Sequence, residues 1–509
     1  MSAVARERQS PALRGERRAN ATKIYWVVAV ATLTVVARVP FATKPLTSDE
    51  GGFLLVASQW SPGRSLYGDY WVDRPPLLID FFWLADRLGG TLGLRVLGMV
   101  AALAAVLLAA DVGRGMAGSR AGSVVRARGA VLGAVAAAVF LSTPMFGAME
   151  VDGELLAVQL VLAAVTLVLR ALPASPSRRR GVLLMASGAA AAAAVLVKQS
   201  ELDGVVFVVV AALTMGRRTE TPLTRTLVPL AAGGLTLVLA VLVHAAVLGT
   251  SPVALWDAVV TFRLDAGPVI SAEATSSTTD RLLRLLLAFI VSGAPLLLVP
   301  LARRMLHRPT TAPDLRWAIA ALLVWELFLV LAGGSYWLHY LIALVPGLVL
   351  AVAYVSATPE HGRRPPSRWT VTALAYATAT TCVALMISFI RIPSPTPVVT
   401  WLSAHSRPGD TAVIAFGHPD ILRSSGLSSP YPELWSLPVR VRDPQLRALS
   451  AVLTAPSRPD WVVTGPSGDL SSWGIDDRTA TAELRAHYQQ VADFGDWIVF
   501  GERDADGTG

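Results

Sequence analysis

The chain has 509 residues, 53% of them hydrophobic and only 16% charged, with a mean hydropathy of +0.53. A soluble domain carries roughly 25% charged residues, so a water-soluble globular protein is excluded. The formal charge of +8 lies mostly on Arg in short loops between apolar runs, where it reports membrane topology and not nucleic-acid binding.

In chain order, residues 1–23 form a basic N-terminus carrying Arg6, Arg8, Arg14, Arg17, Arg18 and Lys23. The apolar run that follows lacks a small-residue cleavage site and is expected to be retained as the first span. Eleven spans are predicted: 24–41, 91–112, 129–146, 155–172, 181–197, 204–215, 227–248, 282–301, 317–332, 337–356 and 371–390. About 20 apolar residues cross the roughly 30 Å of bilayer hydrocarbon. The run 75–88 must not cross, or the alternation of loop charge fails, so it is expected as an interfacial helix. The run 204–215 is short and is expected to borrow residues from 200–203. The single Cys382 lies within an apolar run, so no intrachain disulfide framework exists.

One set of loops holds Arg114, Arg120, Arg126 and Arg128; Arg178 to Arg180; Arg217, Arg218 and Arg225; Arg303, Arg304, Arg308 and Arg316; and Arg363, Arg364 and Arg368. The alternate loops hold few basic residues. The positive-inside rule assigns the rich set, with the N-terminus, to the cytoplasm. Asp49, Asp152, Lys198, the loop 251–280 and the C-terminus then fall on the outer face of the plasma membrane. After Arg391, Pro393, Pro395 and Pro397 mark a linker to a small extracytoplasmic domain over 392–509. Strand-like runs at 412–416, 461–464 and 497–500 alternate with helix-like runs at 398–405, 443–453 and 480–491, which predicts an α/β fold. The expected architecture is mainly α: a polytopic transmembrane bundle over 24–391, with an outer loop 42–90, and this α/β domain.

Charged groups at a membrane boundary are costly unless they serve a function. Asp49 and Glu50 follow the first span, with Ser48 as a candidate N-cap of a helix running to Trp60. A carboxylate there is favoured in its charged form, suited to accepting a proton or binding a metal; a capping acid would leave the same trace. Asp152, flanked by Glu150 and Glu154, follows the third span and is a candidate for binding a divalent cation or an acceptor hydroxyl; a solvated turn is the alternative. Lys198, at the outer end of the fifth span, suits an anion such as phosphate, or else snorkels or pairs with Glu201. Arg74, before Pro75 and Pro76, has the same two readings. His339 opens the tenth span and suits phosphate or metal, whereas Tyr336, Trp337 and Tyr340 fit an interfacial aromatic belt. His244 and Glu326 lie within spans and are expected to face the bundle interior.

The order of these features resembles the GT-C glycosyltransferases, in the branch of protein O-mannosyltransferases and lipid A aminoarabinose transferases. The residues that carry the resemblance are Asp49-Glu50 after the first span, Arg74 before Pro-Pro-Leu-Leu and Asp152 after the third span. Lys198-Gln199 ends the fifth, and His339-Tyr340-Leu341 with Pro346 lies in a late span. The resemblance implies sugar transfer from a polyprenyl phosphate to a lipid, protein or cell-wall glycan acceptor on the outer face. It implies Asp49 as catalytic base with Glu50 beside it, Asp152 as the second acidic position, and Lys198, Arg74, His339 and Tyr340 about the donor phosphate. Metal use varies among such enzymes, so a divalent cation is only a possible cofactor. Glycines at 51 and 52 depart from the bulkier residues often found there. The competing reading is a transporter or flippase, which would place polar residues near mid-membrane on broken helices with repeat symmetry. Here the acids cluster at the outer boundary and no repeat is visible.

Overall fold

A computed structural model of the chain describes residues 11–117, 121–216, 222–272, 276–306, 315–357, 368–392 and 396–503. The expected basic residues at 1–10, Arg120, Arg217, Arg218, Arg308, Arg363, Arg364 and the linker prolines 393 and 395 lie outside them.

The apolar runs fold as helices because only helices satisfy every backbone polar group within lipid. In order these are α1 (Pro11–Arg38), α2 (Ser48–Gln59), α3 (Pro76–Arg87), α4 (Thr91–Met116), α5 (Ser123–Ser142), α6 (Gly153–Ala171), α7 (Arg178–Val197), α8 (Asp203–Gly216) and α9 (Thr224–Val247). There follow α10 (Pro252–Trp256), α11 (Phe262–Ala272), α12 (Ser276–Val291), α13 (Ala294–Met305), α14 (Arg316–Ala332), α15 (Val345–Ala357) and α16 (Arg368–Ile390). Each of the eleven expected spans overlaps a helix. Among the described residues, eight helices are long and apolar enough to cross a membrane, or nine if the bent pair α12–α13 is one span. That pair turns by 66°, where Gly293 adopts φ +80° and Pro295 opens the next helix, so the expected continuous span 282–301 is broken. The short α8 takes in only Asp203 of the residues expected to extend it.

Helix α15 sits at the centre, buried along its whole described length from Val345 to Ser356. Small residues let neighbouring helices touch. A Cβ on Gly133 of α5 would stand 2.5 Å from the Ala109 carbonyl of α4. Cβ atoms on Gly188 of α7 and Gly233 of α9 would overlap the Leu230 and Met185 carbonyls across that pair.

The C-terminal unit adds α17 (Pro397–His405), α18 (Pro419–Ser424), α19 (Ser436–Arg442), α20 (Arg447–Thr454) and α21 (Arg478–His487) around four strands. These are β1 (Ala412–Ile414), β2 (Trp461–Thr464), β3 (Tyr488–Asp493) and β4 (Ile498–Glu502), in the order β1-β2-β4-β3. β1 runs parallel to β2, and the other pairs are antiparallel. The helix expected over 480–491 ends at His487, because pairing with β4 draws Tyr488 onward into a strand.

The two units meet at α2 and the loop after it. Ser48 Oγ donates to the Gly417 carbonyl at 2.6 Å, and the Trp71 amide to the Pro432 carbonyl at 3.0 Å. Arg423 pairs with Asp86 of α3.

Candidate active site

The N-terminus of α2 is the first wall. Thr47, not the expected Ser48, holds the N-cap position, with an extended backbone. Glu50 reaches back to accept from the Thr47 amide at 3.0 Å, which satisfies one of the free donors at the helix start. Glu50 is fully buried and also accepts from the Val151 amide at 2.8 Å. Arg95 of α4 grips both its oxygens, with Nη2 3.0 Å from Oε2. This carboxylate is saturated by partners and ties α2 to α4 and to the loop before α6. Asp49 is half-buried, and its Oδ1 accepts from the Trp435 indole N–H at 3.0 Å. Its Oδ2 accepts no hydrogen bond from a described side chain or amide.

The second wall is the start of α6. Asp152 caps that helix, its Oδ1 accepting from the Leu155 amide at 2.9 Å. Its Oδ2 is buried without a hydrogen-bond partner. Burial, and then Glu154 beside it, push the Asp152 carboxyl well above the ordinary carboxylate range. Glu154 pairs with Lys198 at the end of α7. A Cβ on Gly153 would stand 3.3 Å from Lys198 Cδ, so the glycine leaves room for that side chain to cross the helix start. Burial opposes the Lys198 charge, but Glu154 holds the ammonium above its ordinary value. Lys198 Nζ also stands 5.0 Å over the Tyr340 ring.

His339 and Tyr340 arrive on the 3-10 segment Leu338–Leu344 that precedes α15. The close approach of this segment uses Gly147, at φ +65°, where a Cβ would stand 3.2 Å from the His339 amide nitrogen. His339 Nδ1 lies 4.0 Å from Asp152 Oδ2, and Nε2 3.8 Å from Glu154 Oε1. Asp152, Glu154 and His339 each present a ligand atom within 4.8 Å of the others. Two carboxylates and an imidazole, with Asp152 Oδ2 open, form a donor set that fits a divalent cation.

The third wall is the loop between α2 and α3. Arg74 Nη1 donates to Asp73 Oδ1 at 2.6 Å, and Arg263 of α11 pairs with the other oxygen. Burial works against the Arg74 charge, yet Asp73, then Asp49 and Glu154, hold its pKa above the ordinary value. Burial likewise opposes the Asp73 charge, and Arg263 and then Arg74 hold that carboxyl below its ordinary value. Gln199 Nε2 donates to the Asp73 carbonyl at 3.0 Å, linking this loop to Lys198.

The structure thus brings Asp152, Lys198, His339 and Tyr340 together, with Arg74 in electrostatic reach of both this group and Asp49. Glu50 stands apart in its ion pair. Asp73, Arg95 and Arg263 join the surroundings without having been assigned a role, and Trp435, a tryptophan of the C-terminal domain that could pack in its core or stack on sugar, meets Asp49 instead. Arg263 had a signal, as one of the few basic residues in the sparse loops. Glu326 is buried as expected, with Oε1 accepting from the Gly347 amide at 2.9 Å and Oε2 unpartnered. His244 departs from expectation: it is exposed and meets Asp80 of α3 at 3.1 Å, because α3 lies against α9 at the end of that helix.

No protein-family model matches the chain, and no curated protein sequence matches it. Solved structures do. ArnT from Cupriavidus metallidurans bound to undecaprenyl phosphate aligns with a TM-score of 0.60 at 14% identity, over 94% of this chain and 98% of that one. Its apo state gives 0.58 at 14% identity, over the same 94% and 98%. The Archaeoglobus fulgidus oligosaccharyltransferase, in complex with Zn and sulfate, gives 0.54 at 13% identity, over 94% of this chain and 73% of that one. The likeness is one of fold: the chain shares its architecture with these solved structures.

Proposed function

We propose that the protein is an integral-membrane glycosyltransferase that moves a sugar from a polyprenyl-phosphate donor to an acceptor hydroxyl on the outer face of the membrane. The observation that carries this reading is a pair of half-buried cations, Lys198 and Arg74, with Arg74 in electrostatic reach of a half-buried Asp49 whose Oδ2 accepts no hydrogen bond among the described residues. The shared fold with ArnT bound to undecaprenyl phosphate supports the donor class.

A hydroxyl is a weak nucleophile, so Asp49 Oδ2 accepts its proton as the oxygen attacks the anomeric carbon. The bond from that carbon to the phosphate oxygen breaks, the electron pair leaves with the lipid phosphate, and the anomeric centre inverts. A phosphate departs as a stable anion and needs no general acid. It needs positive charge held where negative charge develops, which Lys198 and Arg74 supply. Lys198 has three donors and Glu154 occupies one of them. Tyr340 fixes the direction of the ammonium through its ring. His339, between Asp152 and Glu154, keeps these acids in place; a divalent cation held by the three would add positive charge for the phosphate. Glu50 positions the first turn of α2, which carries Asp49. The N-terminus faces the cytoplasm and the C-terminal domain the outside.

Membranes containing the protein, assayed against polyprenyl phosphates carrying different labelled sugars, should transfer one of them. Asp49→Asn should lower that turnover about 10²–10⁴-fold without loss of insertion. Near-wild-type turnover would remove Asp49 from the base role.

A further inference from the structure

We propose that Trp435 of the C-terminal domain is a positioning residue for Asp49, and that Gly51 and Gly52 are the seat that lets it dock. The inference rests on the base role of Asp49 and adds a second domain to the site. Trp435 spends its one donor on Asp49 Oδ1 at 3.0 Å. That bond fixes the carboxylate plane and leaves Oδ2 to meet the acceptor hydroxyl. The Trp435 ring packs on Phe53 at 5.4 Å between centroids, and the Arg74 guanidinium stands 5.7 Å over the same Phe53 ring. One aromatic ring therefore carries both the Asp49 donor and a candidate phosphate ligand.

The two glycines explain why the chain departs from bulkier residues here. A Cβ on Gly52 would overlap the Trp435 ring, and a Cβ on Gly51 would stand 2.5 Å from Asp420 Cα. No larger residue lets the second domain come this close. The segment bearing Trp435 is fastened independently. Arg442 pairs with Glu433 at 2.8 Å and lies 4.4 Å over the Trp71 ring, and the Ser429 amide donates to the Tyr70 hydroxyl at 3.1 Å.

Trp435→Phe keeps a ring against Phe53 and removes the donor, together with the part of the indole that sits on Gly52. Assayed in the full-length protein with the labelled polyprenyl phosphates, it should lower kcat about tenfold or more with donor KM within about twofold of wild type. Its melting temperature in detergent should fall by no more than about 2–4 °C, leaving the protein folded at the assay temperature. Gly52→Ala, which displaces the ring, should give the same split. In a spectrum of protein labelled with 15N-tryptophan, the indole signal missing from Trp435→Phe should shift in Asp49→Asn. This readout needs no substrate. A wild-type kcat in Trp435→Phe beside an inactive Asp49→Asn would overturn this proposal alone, and an active Asp49→Asn would sink the base reading beneath it. A fall in kcat of Trp435→Phe that unfolding at the assay temperature accounts for, or an unmoved indole signal, would also overturn it.

Discussion

Glu50 and Arg95 form a fully buried ion pair, with Arg95 Nη2 3.0 Å from Glu50 Oε2, that locks the start of α2 to α4. Arg95 continues to the Lys44 and Pro45 carbonyls at 3.1 and 3.3 Å, so a single guanidinium holds the chain on either side of Asp49. Breaking a buried pair from one side leaves an uncompensated charge. Arg95→Ala should therefore destabilise the protein by about 3–5 kcal/mol, read as a fall in melting temperature of detergent-purified protein. An unchanged melting temperature would mean that water or another cation reaches Glu50.

Lys198 is expected to act on the donor. Lys198→Ala removes the ammonium facing the phosphate and should raise donor KM about tenfold while leaving acceptor KM alone. The variant also frees the buried Glu154, which repels an incoming phosphate and acts in the same direction. Unchanged donor kinetics would count against the phosphate assignment.

Acid should loosen the Arg74 loop through Asp73. A carboxylate whose folded pKa is depressed stabilises the fold above its ordinary value of 3.8. That contribution is lost as pH falls through the folded value. The wild-type melting temperature should drop more steeply below about pH 4 than that of Asp73→Asn, which has no such proton to take up. Parallel curves for the two proteins would show that Arg74 and Arg263 do not depend on this charge.

The helices were legible because runs near membrane length leave the backbone little choice. The break at Gly293 was missed, since residues 282–301 stay apolar through the kink and Gly293 with Pro295 were the only marks of it. Residues 488–491 read as helix because local pattern takes no account of the edge that β4 offers. At the site, Asp152, Lys198 and His339 stood out as charged or titratable groups at span ends, where lipid makes them conspicuous. Glu50 stood out for the same reason, but its partner Arg95 lies among apolar residues of α4, and nothing local ties the two together. Trp435 is 386 residues from Asp49; as a tryptophan of the C-terminal domain it read as a core or sugar-stacking residue, and nothing local ties it to Asp49.

The separation of Asp49 from Trp435 also orders events during synthesis. Asp49 emerges from the ribosome near the beginning, and its tryptophan partner only after every apolar helix of the bundle has been made. A nascent chain holds Asp49 long before it holds the indole that donates to it. Chains halted or cut before residue 435 therefore carry Asp49 without its indole donor.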